Sequence, residues 1–119
     1  GGSGGGIWID CQSFRGGSNA VIRANGGDGG SGSWSATAGG GGGGRVAIWV
    51  GMTDAIRSQV RTGNVGRVEV MAAYPHFGGA ITVSNGWGYT NPPHAGAAEP
   101  GTAWFFVFNP PLGIMMQIL

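Results

Sequence analysis

Residues 39–50 read GGGGGGRVAIWV. Six unbroken glycines run straight into apolar residues whose bulk alternates with period two, the signature of a β-strand with one buried face. Ile48 and Val50 fall on one side and Trp49 on the other. Glycine supplies 28 of the 119 residues, yet the chain also carries five Trp and five Phe. Its mean hydropathy is +0.07. A flexible linker lacks such apolar runs. Glycine-rich bends that punctuate apolar strands specify stacked or wound β-structure, because side-chain-free backbone can pass close to its neighbours.

The same grammar recurs outward from this stretch. Residues 7–12 (IWIDCQ) alternate, with Ile7, Ile9 and Cys11 on one face and Trp8 on the other. Residues 20–24, 67–71 (with Val68 and Val70 inward), 80–84 and 102–108 also read as strands, and 33–37 as a weak strand or ordered loop. Asn109-Pro110-Pro111 ends the last strand, since proline cannot donate to a ladder. Residues 51–63 hold the one helical candidate: Thr53 can cap, Asp54 sits in the first turn, Ile56 and Val60 share a face, and Gly63 can stop it.

An internal repeat organises the chain. Phe14-Arg15-Gly16-Gly17, a strand to Asn25-Gly26, a long Gly/Ser loop and Gly44 to Val50 form one copy. Phe77-Gly78-Gly79-Ala80, a strand to Asn85-Gly86, a Gly/Pro loop and Gly101 to Val107 form the other. Asn25 matches Asn85 at an offset of 60 (85 − 25), and Gly44 matches Gly101 at 57 (101 − 44). The expected layout is a single β domain over 1–119: repeat 1 about 7–51, an insert about 52–66, repeat 2 about 67–108 and an apolar tail 109–119. Two units that cannot each bury their own face can stack and share a core. Asn-Gly is also a hairpin signal, but the long loops favour coils of a solenoid.

The glycine-rich opening, the IWID strand, F-x-G-G, a strand ending in A-N-G-G and GGGGRVAIWV together resemble the glycine-rich repeats of very large bacterial surface and secreted proteins. The resemblance covers residues 1–51 and, more loosely, 77–107. It leaves out 53–64 and the segment after Asn109. It implies a right-handed parallel β-helix or a similar β-solenoid at the cell surface or outside the cell, and it carries no catalytic residues. The fold class expected is all-β, a glycine-rich β-solenoid of two repeats, with a two-sheet β-sandwich as the alternative.

Charged residues make up 9% of the chain, lysine is absent and the net charge is +1. An average soluble domain carries about 25%. There is no basic patch for nucleic acid and no acidic run. No apolar run is long enough to span a bilayer as a helix. The chain starts inside a glycine-rich segment, which reads as a processed or excised piece. So few charges suit an assembly, or a domain covered by neighbours, better than a freely diffusing enzyme. Cys11 is single, so it forms no internal disulfide, and it reads first as a small buried residue.

The chemistry-bearing residues are sparse. Asp10, Asp28, Asp54, Glu69 and Glu99 are the only carboxylates, and no two share a motif of paired acids. Asp28 within GGDGG faintly resembles a calcium loop, but its Asp and apolar positions do not recur. A turn Asp is the plain reading. A polysaccharide-degrading β-helix enzyme would need acidic calcium ligands and a base such as Arg23 or Arg45. His76 and His94 lie in loops without metal-ligand spacing. No cofactor or metal is expected, and no catalysis.

The outward aromatics carry more. With Ile7, Ile9, Ile48, Val50, Phe105 and Val107 inward, Trp8, Trp49, Trp104, Phe106 and Phe108 point outward. A covering segment such as 53–64, an interface between copies, or stacking against sugar rings would each account for them. The uncharged tail, with Leu112, Ile114, Met115, Ile118 and Leu119, must fold back or add as a strand to another copy. The function expected is a structural subunit of an extracellular bacterial filament, sheath or surface layer. Copies of itself are its partners, joined through strand edges, the outward aromatics and the tail. Glycans are a second partner class, for a carbohydrate-binding or adhesive module using Trp8, Trp49, Trp87 and Trp104.

Overall fold

The computed structural model describes residues 1–30, 38–64, 66, 68–88 and 98–108. The expectations for residues 33–37, His94 and the tail 109–119 lie outside the described residues. The chain forms β1 (Gly6–Cys11), β2 (Val21–Arg23), β3 (Arg45–Val50), α1 (Asp54–Arg61), β4 (Val68–Met71), β5 (Ala80–Thr82) and β6 (Thr102–Phe108). It is predominantly β with one short helix, and among the described residues no barrel closes.

The strands form two sheets, one in the order β1-β3-β6-β4 and one pairing β2 with β5. β1 with β3, β3 with β6, and β2 with β5 are parallel; only β4 runs antiparallel, on β6. No pair is a tight hairpin, because each parallel partner is reached through a crossing segment. Arg45 stands opposite Thr102, so Gly44 and Gly101, matched in the sequence repeat, lead into paired positions. Val21 stands opposite Ala80, which places Asn25 beside Ser84, one position short of the Asn25–Asn85 match. The Asn25 side-chain oxygen accepts the Ser84 N–H at 3.0 Å.

The facing sides of the sheets build the core. Val46, Ile48, Val50, Phe105 and Val107 are buried with Ala24, and Ile22 and Ile81 of the smaller sheet, with Val83 just after β5, close over them. Phe105 lies in a ring cluster: Tyr74 stacks on it at 5.4 Å, with Phe14 at 5.9 Å and Phe77 at 6.1 Å. Each such fully buried large side chain contributes about 1.5–3 kcal/mol.

Beyond the strands, glycine replaces the core. Gly27 donates to Gly2 at 2.8 Å, Gly41 to Gly27 at 2.8 Å and Gly86 to Gly41 at 2.8 Å, so glycine segments bond directly to one another. Along 39–44 the surroundings repeat every three residues. Gly39 and Gly42 have room for a side chain; a Cβ on Gly40, Gly41, Gly43 or Gly44 would strike the carbonyl oxygen of Gly86, Gly2, Val83 or Gly5. Three residues per turn is the repeat of a polyproline-II-type extended helix, which makes no internal hydrogen bonds. Its backbone must therefore bond sideways, and only glycine lets neighbours come that close.

α1 follows from local sequence. The Thr53 hydroxyl accepts the Ile56 N–H at 3.3 Å, Asp54 lies in the first turn, and Gly63 beyond the C-cap has φ +89°. This is the expected helix, about two turns long. Its buried Ile56 joins Met52 and Val68 in a second apolar cluster, and Trp49, Val60, Phe106 and Phe108 pack against that cluster. Val68 and Val70 do not face the main core. They sit opposite Phe108 and Phe106 on the outer face, and it is Met71 that turns inward. The reversal follows from antiparallel pairing on β6, which aligns the β4 valines with outward rings.

Candidate functional site

The outer face of the four-stranded sheet collects the aromatics read from the sequence. Trp8, Ala47 and Trp104 form one row across β1, β3 and β6. Asp10, Trp49, Phe106 and Val70 form the next row. α1 covers part of this face, so Trp49, Phe106 and Phe108 are half-buried. Trp8 and Trp104 remain 55% and 44% exposed. Trp8 meets Trp49 edge-on at 5.1 Å, and Trp49 lies 6.2 Å from Phe106. Trp87 is also exposed, away from this sheet in the glycine segment after β5. Of the residues expected to join copies, Trp8 and Trp104 are open, Trp49, Phe106 and Phe108 are partly covered, and Leu112, Ile114, Met115, Ile118 and Leu119 lie outside the described residues.

Two arginines of α1 complete the face. Arg57 bonds Asp10 at 2.7 and 3.2 Å and Asp54 at 2.6 Å, tying the helix to β1. The Asp10 carboxylate that accepts its hydrogen bonds raises the Arg57 pKa above the ordinary arginine value; partial desolvation opposes this, and the charges of Asp10 and Asp54 reinforce it. Arg61 lies over the Trp8 ring, 5.7 Å from its centroid. These partners went unread in the sequence, although Arg57 and Arg61 are four residues apart and so share a helix face.

Among the described residues no strand neighbours the outer edge of β1. Arg45 donates to the Gly5 carbonyl and Gly51 to the Cys11 carbonyl. Alternation therefore turns the N–H and C=O groups of Gly6, Trp8 and Asp10 away from β3, to the unpaired side. At the other side β4 covers β6 from Phe105 to Phe108 and leaves Thr102, Ala103 and Trp104 without a second neighbouring strand among the described residues.

The remaining groups offer little chemistry. The Cys11 thiol is half-buried and donates to the Trp49 carbonyl at 3.6 Å. Burial first, and the Asp10 charge second, raise its pKa, which disfavours the nucleophilic thiolate. The Asp28 carboxylate accepts the Trp87 N–H at 2.8 Å, so it ties its own glycine segment to the one after β5 and does not close a local turn. His76 packs edge-on against Tyr74 at 5.3 Å. His76 and Glu69 line one open depression with Tyr74, Met71, Ala73, Pro75 and Val107. A larger open depression, about 610 Å³, is lined by Thr53, Ala55, Ile56, Gln59, Asn64, Gly66 and Phe108 and contains no titratable side chain. Among the described residues no three His, Cys, Asp or Glu side chains converge as metal ligands, and no helix is long and apolar enough to cross a membrane.

No family model matches the chain, and no curated protein and no solved structure shows significant similarity to it.

Proposed function

We propose that this protein is a non-catalytic structural subunit of an extracellular filament, sheath or surface layer, wound as a glycine-rich β-solenoid and joined to other copies through the β1 edge. The observation that carries the reading is the edge itself. Three residues of β1, Gly6, Trp8 and Asp10, present backbone donors and acceptors to no strand among the described residues, at the end of a twice-repeated parallel array. Exposed edges of this kind template pairing with another chain. The solenoid assignment rests on the larger-smaller-larger order of β1-β2-β3, repeated in β4-β5-β6, and on copy-on-copy register. The surface location rests on the resemblance in sequence.

β4 shapes how copies meet. It blocks the second half of β6, so a further coil cannot stack there along its full length. The open part of β6, residues 102–104, and the outer side of β5 provide a different surface for the β1 edge of the next copy. Such a head-to-tail contact does not close, and it builds filaments. The test substitutes Gly6→Pro. The Gly6 N–H points to the open side and a Cβ there meets nothing within 4 Å, so the ladder with β3 survives while the edge loses a donor. Negative-stain microscopy should show polymers for the wild type and none for Gly6→Pro. Monodisperse wild-type monomers at high concentration would refute the proposal.

A further inference from the structure

We infer that the row Trp8, Ala47, Trp104 is a binding site for an extended acidic polysaccharide, separate from the β1 backbone edge. The two indoles stand in the same register on strands two apart. Neighbouring strands lie about 4.8 Å apart, which sets the backbone positions of the two tryptophans about 9.6 Å from each other across the small side chain of Ala47. Two exposed stacking surfaces with a flat, low centre suit alternate sugar rings of one extended chain, with the intervening ring over Ala47. Indole combines a broad apolar face with an N–H donor, so it stacks on the C–H face of a sugar and still serves its hydroxyls. The site is also held in shape: Trp8 is braced by its near-perpendicular contact with Trp49 and by the Arg61 guanidinium.

The charge around the row selects the ligand. Arg45 projects from the same face as Ala47, one strand repeat away, and is exposed. Among the described residues no carboxylate pairs with it, whereas Asp10 and Asp54 on this side are engaged by Arg57. Arg45 and Arg61 thus flank the row as cations, and a uronic-acid carboxylate is their complement. Neutral glycans would use the rings alone.

The experiment is a tryptophan-fluorescence titration with a β-1,4-linked hexauronate and with the neutral β-1,4-linked glucan hexamer, paired with sedimentation of each variant. A saturable response to the hexauronate is expected. Trp104→Ala should weaken it about tenfold or more, whereas Trp104→Phe should keep most of it. Arg45→Ala should weaken hexauronate binding and leave the neutral hexamer unchanged, and raised salt should act likewise. Gly6→Pro should bind as the wild type does, even where it abolishes polymers, which separates this site from the edge. No saturable response, or wild-type affinity in Trp104→Ala, would overturn the site. Equal affinity for both hexamers with a silent Arg45→Ala would overturn the acidic assignment. A Trp104→Ala variant that loses only self-association would make the face an interface between copies and overturn the inference.

Discussion

Alanine at Gly41 and alanine at Gly42 should behave as opposites, although the two positions are adjacent and chemically identical. A Cβ on Gly41 would collide with the Gly2 carbonyl and the Ser3 nitrogen, which are backbone atoms with no rotamer to escape into. At Gly42 the nearest atom is the Glu99 carbonyl oxygen at 3.6 Å, an ordinary contact. Forcing an extra carbon into close-packed structure costs about 1–3 kcal/mol. Parting the layers also strains the Gly27-to-Gly2, Gly41-to-Gly27 and Gly86-to-Gly41 bonds, each 2.8 Å. One buried group left unpaired adds about 1–3 kcal/mol. Gly41→Ala should therefore lose about 2–6 kcal/mol, a large share of the roughly 5–15 kcal/mol that holds a domain together. Gly42→Ala should fall within about 1 kcal/mol of the wild type, on the stabilising side, because alanine restricts the unfolded chain. Urea unfolding followed by tryptophan fluorescence measures both, with an unchanged m-value certifying that midpoints compare stabilities. Equal midpoints for the two variants would refute the threefold packing of the glycine run.

Other expectations test other layers of the structure. Phe105→Ala removes the centre of the ring cluster and should cost about 3–5 kcal/mol in the same urea assay. Thr53→Ala deletes the N-cap of α1 and should cost about 0.5–2 kcal/mol, also loosening the cover over Trp49. The Cys11 thiol should react with a disulfide reagent at pH 8 well below the rate of an unfolded control. Its folded pKa lies above the ordinary value of 9.0, so it adds stability that is complete below the unfolded pKa. That part is lost as pH climbs from there through the folded pKa, and Cys11→Ala should abolish it.

Much of the fold was legible because glycine and alternation are local signals. Arg45–Val50 and Thr102–Phe108 begin and end where the pattern placed them, and Thr53 and Gly63 bracket α1. The offset between Gly44 and Gly101 is the register of β3 on β6. What could not be read was non-local. Nothing in residues 67–71 told that they would pair antiparallel on β6 and turn Val68 and Val70 outward. The pairing of β1 with β3 was equally hidden, since residues 6–11 and 45–50 were not matched as repeats. At the site, the outward set was read from period-two alternation, but which members stay open depended on where α1 settles. Asp10–Arg57 and Arg61–Trp8 are products of that docking.

The most direct trial of the self-assembling solenoid is negative-stain microscopy of the concentrated protein beside its Gly6→Pro variant, with circular dichroism showing that both are folded. Extended polymers of uniform width from the wild type, and single particles from the proline variant, are the outcome expected of a chain that extends its sheet through β1. Lone particles from both, or indistinguishable polymers from both, would contradict it.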